Sequence, residues 1–253
     1  MSKLPSAYKF IDLSDYGRPV AKIIANSLKE TSFTPIHVTI WFVISGLIAI
    51  YCILFDYVWF AAFFLVLKSI LDAADGELAR VKETPSYTGR YLDSVSDIIL
   101  NLLIFIALWY TTEVHFIYPF LAFIGIQLQG TLYNYYYVIL RNNSNGDTTS
   151  RIFEHDTPIA MDGETQKNVN LLFAIYKFFY GVFDKTIYML DPKASKSKRF
   201  PNIFMSAVSI FGLGFQLLLI SFMLILGYKD FIIPFFIGYT ALIFVFIGIR
   251  RLL

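Results

Sequence analysis

The sequence predicts an all-α, polytopic membrane protein. Of its 253 residues 57 % are hydrophobic and only 16 % are charged, and the mean hydropathy is +0.59, too apolar for a water-soluble domain. Several apolar runs are also long enough to cross a bilayer, and helix is the expected form because lipid offers no partner for an open backbone.

Taken in order, the chain begins with a polar stretch that lacks the continuous apolar core of a cleavable signal, so it is expected to stay on the mature protein. Between Asp12 and Lys29, Val20, Ala21, Ile23, Ile24 and Leu28 recur at helical spacing among Arg18, Lys22 and Lys29, the pattern of an amphipathic helix on a headgroup surface. Six runs then qualify as spans: 36–55, 57–78, 89–111, 115–140, 202–226 and 231–249. Residues 141–200 form a cytosolic loop. Within it, 171–190 places Lys177, Gly181, Asp184 and Lys185 on one stripe and predicts a second interfacial helix rather than a seventh span. The whole of 1–253 is expected to be one membrane domain, with the interfacial helix inside 1–32.

If both termini face the cytosol, 19 of the 21 Lys and Arg fall on that side, leaving Lys229 outside and Lys68 within a span. The positive-inside rule then fixes the orientation. A net charge of only +2 gives no reason to expect a nucleic-acid partner, and the single Cys52 removes any disulfide framework or cysteine metal site.

The chemistry is concentrated in "DAADGELARVKETPSYTGRYLDSVSD", residues 72–97. Asp72 and Asp75 share one helical stripe, which Gly76, Ala79 and Arg80 continue; Gly89, Asp93 and Asp97 repeat at four-residue spacing on the next helix, and Pro85 marks the break. A helix hairpin would point two carboxylates from each arm into a shared space at the cytosolic membrane face. Four unpaired carboxylates there would repel one another, and one or two divalent cations are the simplest remedy. Carboxylate oxygens suit Mg²⁺ or Mn²⁺, whereas His37, His115 and His155 are scattered and make no zinc-like cluster. With Arg80 available to a phosphate oxygen, the set describes phosphoryl transfer.

These eight residues match D-x2-D-G-x2-A-R-x8-G-x3-D-x3-D at every fixed position, which resembles the signature of the CDP-alcohol phosphatidyltransferases. Such a match arises by chance with odds on the order of 10⁻⁷. The resemblance implies a phospholipid-biosynthesis transferase in which Asp72, Asp75 and Asp93 hold two Mg²⁺ or Mn²⁺ ions on the diphosphate of a CDP-linked lipid. Asp97 is then both a candidate metal ligand and the general base toward an acceptor hydroxyl, with CMP as the leaving group. Gly76, Ala79, Arg80 and Gly89 would shape the cytidine and phosphate site, with Thr34 on the nucleotide side. In "TPIHVT" (34–39) Ile36 stands where relatives often have Asn, so one such contact differs.

The implied partners are CDP-diacylglycerol, a small polar alcohol (serine, inositol or its phosphate, or glycerol phosphate), membrane lipids and a second copy of the chain. The reversed polarity, a CDP-choline or CDP-ethanolamine donor with diacylglycerol as acceptor, belongs to relatives that are usually longer. Intramembrane carboxylates also mark ion pathways, but that reading, like a non-enzymatic scaffold, leaves the glycines and the arginine spacing without a purpose. Arg141 and Arg151 are the candidate cations for a phosphorylated acceptor. Lys68, one turn before Asp72, either pairs with an aspartate or extends toward the interface.

Overall fold

The computed structural model describes residues 4–5, 8–144, 154, 156–197 and 199–253, and its regular structure is helix, with no strand among the described residues. Helix α1 (Arg18–Leu28) has Pro19 in its first turn, where the missing N–H costs nothing. Pro35 likewise opens α2 (Pro35–Leu54), whose first turn is closed by Thr34: its N–H donates to His37 Nδ1 at 3.0 Å. His37 is thus a capping residue. A turn in which Asp56 takes φ 61° reverses the chain into α3 (Val58–Val81). That helix ends where Glu83 adopts φ 55° and Pro85 prevents continuation. Ser86 Oγ then accepts from Gly89 N–H at 2.8 Å and starts α4 (Tyr87–Tyr110).

Helices α5 (Ile117–Asn143) and α6 (Gln166–Leu190) follow, then α7 (Asn202–Val208), α8 (Leu213–Ile225), α9 (Ile232–Tyr239) and α10 (Leu242–Leu252). Helix α3 is the centre of the packing, in contact with α1, α2 and α8, while α4 packs on α2, α5 and α6. The small residues Ala21 and Ala25 of α1 let it lie closely on Leu71, Ala74 and Leu78 of α3. Helix α2 packs against both α3 and α4, and so borders the motif that these two helices carry.

The six expected spans are corrected by the helices themselves. Among the described residues three are long and apolar enough to cross a membrane: α2, α4 and the stretch Lys229–Leu252, with a fourth if Asn202–Phe211 and Leu213–Ile225, bent by 54°, count as one broken span. The stretches 57–78 and 115–140 do form helices at the expected places, of 24 and 27 residues. They fall short on polarity. Helix α3 carries Lys68, Asp72, Asp75, Glu77 and Arg80, and α5 carries buried Gln127, Gln129 and Arg141. The run 171–190 became α6, which also does not meet the spanning criterion.

Away from the motif, a buried carboxylate is paired at the end of α6. Asp191, completely buried at the end of α6, accepts from Arg250 Nε at 2.7 Å and from Tyr136 Oη at 2.8 Å, joining α6, α10 and α5. Pairs of this kind cost about 3–5 kcal/mol to break, because a bare charge is left behind. The aromatic run 133–140 is used for such packing: Tyr135 Oη donates to the Asp191 carbonyl at 3.1 Å, and Tyr133 bonds Asp12.

Candidate active site

Because α3 and α4 are joined by a short reversal, residues advancing along α4 meet residues retreating along α3. Asp93 on α4 therefore comes opposite Asp72 and Asp75 on α3, and the three offer carboxylate oxygens that all lie within 4.8 Å of one another. One turn farther along α4, about 6 Å at 1.5 Å per residue, Asp97 reaches the level of Lys68. The two form a buried ion pair. Of the two roles open to Lys68, pairing is the one the structure has.

Three further contacts fix the carboxylates. Thr39 on α2 donates through Oγ1 to Asp75 Oδ2 at 2.7 Å, leaving the other oxygen of Asp75 for a ligand. Asp93 Oδ1 is buried and has no hydrogen-bond partner. Such an atom is costly unless something absent from the protein itself binds it. Tyr180 of α6 donates to the Ser94 carbonyl at 3.0 Å and so presses on the helix between Asp93 and Asp97. Three clustered carboxylates with one orphaned oxygen fit a hard divalent cation.

Arg80 pairs with Glu77 at 3.0 Å, and its guanidinium lies over Gly76, 3.6 Å from where a Cβ would stand. Glu77 also receives Arg18, which in turn holds Asp15. The N-terminal strap thereby reaches the motif through a chain of alternating charges. At the other side, Gly89 is enclosed by the turn that Ser86 caps. That turn is itself held from the distant loop: Glu164 accepts from the N–H groups of Thr88 at 2.6 Å and Tyr87 at 3.1 Å and from Ser86 Oγ at 2.8 Å. Burial alone would raise the Glu164 carboxyl, but these bonds, with one from Met161 N–H, outweigh it and hold it below the usual carboxylate range. An ionised carboxylate thus sits at the positive end of α4.

Among the other candidates, Ala79 is half-buried beside Arg80, and Thr34 is exposed at the start of α2, engaged with His37. Arg141 is buried with its guanidinium 5.8 Å from the Tyr137 ring. Arg151 and His155 lie outside the described residues. Sequence reasoning missed Thr39, Glu77, Arg18 and Glu164. Glu77 alone left a trace, as an acidic residue set three positions before Arg80.

The sequence model of the CDP-alcohol phosphatidyltransferase family matches residues 24–161, just over half of the chain. The chain belongs to that family. CDP-alcohol phosphatidyltransferases are membrane-embedded phosphotransferases that depend on divalent metal and join a CDP-linked alcohol to a hydroxyl acceptor. The match takes in Thr34, Thr39 and all eight motif residues, but it ends before Glu164 and begins after Arg18. No curated protein matches the chain.

Proposed function

We propose that this phosphatidyltransferase moves a phosphatidyl group from CDP-diacylglycerol to a small polar alcohol, such as serine, inositol or its phosphate, or glycerol phosphate, and releases CMP. The observation that carries the reading is the convergence of Asp72, Asp75 and Asp93 from α3 and α4, with Arg80 on the same helix as the first two and with Asp72 and Asp93 only partly buried. Those three carboxylates would hold the metal, Mg²⁺ or Mn²⁺, which when bound neutralises the charge on the diphosphate. Arg80 orients a phosphate oxygen, and Gly76 leaves the backbone open to the nucleotide beneath the guanidinium. Gly89 and Ala79 border the same space, with Thr34 at its entrance. Asp97, with Oδ1 held by Lys68, uses its second oxygen to take the proton of the acceptor hydroxyl. Arg141, and Arg151 in the adjoining loop, would serve a phosphorylated acceptor.

Purified protein is expected to release CMP from labelled CDP-diacylglycerol with one or a few alcohols of a panel. CMP from CDP-choline and diacylglycerol instead would reverse the polarity of the reaction. The carboxylate site is assigned to the cytosolic face, with both termini on that side. With Cys52 replaced, a cysteine at Ser144 or Ser195 should then react with an impermeant thiol reagent only from the cytosol. Labelling in intact cells from outside would overturn this orientation.

A further inference from the structure

Lys68 is completely buried, and its ammonium lies 5.0 Å from the centre of the Phe42 ring. An apolar site of this kind tolerates a cation only when an anion is fixed beside it. That anion is Asp97, the one motif carboxylate outside the group of three. Asp97 Oδ2 makes no hydrogen bond among the described residues, so the carboxylate is committed to Lys68 through Oδ1 alone.

The consequence is a matter of charge and of available oxygens. Resting on the metal reading of the site above, the geometry points to one resident divalent cation in the substrate-free protein, with the Lys68 ammonium standing where a second would be required. One ion held by Asp72, Asp75 and Asp93 leaves the group of four carboxylates and Lys68 with a single negative charge. A second ion would make the same group net positive and would find only one unengaged oxygen, Oδ2, on an Asp97 whose charge Lys68 already balances. Only the diphosphate of the nucleotide supplies both the extra oxygens and the extra negative charge, so the second ion enters with it.

Binding of Mn²⁺ to the purified full chain in lipid nanodiscs, followed by the paramagnetic resonance signal of free Mn²⁺, tests this without reference to turnover. Wild type should bind one Mn²⁺ per chain alone and two when cytidine diphosphate is added. Lys68→Met, which keeps the length of the side chain but removes the charge, should bind two without nucleotide. Two ions on nucleotide-free wild type, or one on a folded Lys68→Met, overturns the role of Lys68 and leaves the proposed reaction standing. No Mn²⁺ on wild type with or without nucleotide removes the metal centre itself. If Lys68→Met fails to fold, the wild-type comparison with and without cytidine diphosphate decides alone.

Discussion

Asp75→Asn should reduce CMP release by at least about 10³-fold, the rate equivalent of losing about 4 kcal/mol of metal-borne charge stabilisation. The substitution keeps the size of the side chain and a partner for Thr39, which donates to Asp75 Oδ2 at 2.7 Å, so the fold has little reason to change. What it removes is the negative charge of buried Asp75 from a group of three that together must hold a cation. Mn²⁺ binding should be lost in parallel, and so should wild-type CMP release in the presence of chelator. Full activity of Asp75→Asn with chelator present would end the metal assignment.

Asp97→Asn should lower turnover by about 10²- to 10⁴-fold, the range for removal of a general base, while CDP-lipid binding persists because the other three carboxylates remain. Its partner complicates the experiment. Without the carboxylate, the buried Lys68 ammonium faces the remaining aspartates as an uncompensated cation and weakens Mn²⁺ binding. The double variant Asp97→Asn/Lys68→Met removes both charges and should recover Mn²⁺ binding while turnover stays low, which separates proton removal from charge balance. Normal turnover of Asp97→Asn would place the base elsewhere. Failure of the double variant to bind Mn²⁺, as complete as that of Asp93→Asn, would make Asp97 a ligand.

The long helices were legible as apolar runs, and Pro85 marked the break between α3 and α4. The motif stripe was legible because helical spacing alone puts Asp72 beside Asp75 and Asp93 beside Asp97. What spacing could not supply was the level at which residues of the two helices meet. It grouped four aspartates, whereas antiparallel travel brings only Asp93 level with the α3 pair and sends Asp97 to Lys68. Thr39, Arg18 and Glu164 are 36, 59 and 76 residues from the groups they hold, in separate helices or loops, and no periodicity connects them. The number of spans failed on the opposite ground. Lys68 and the motif aspartates put too much charge on α3, and polar residues lowered the hydropathy of α5, although both are long enough.

The cap that Glu164 places on α4 also sets an order of events during synthesis. Thr88 leaves the ribosome 76 residues ahead of the carboxylate that binds its N–H. At about 5–20 residues per second this is a delay of about 4–15 s. Throughout that interval the first turn of α4, from Ser86 to Gly89, has the Ser86 hydroxyl as its local cap and leaves its other N–H groups to water. The nascent chain therefore holds all eight motif residues well before the turn that carries Gly89 is fastened, and that end of the motif is completed only when the segment carrying Glu164 folds back onto it.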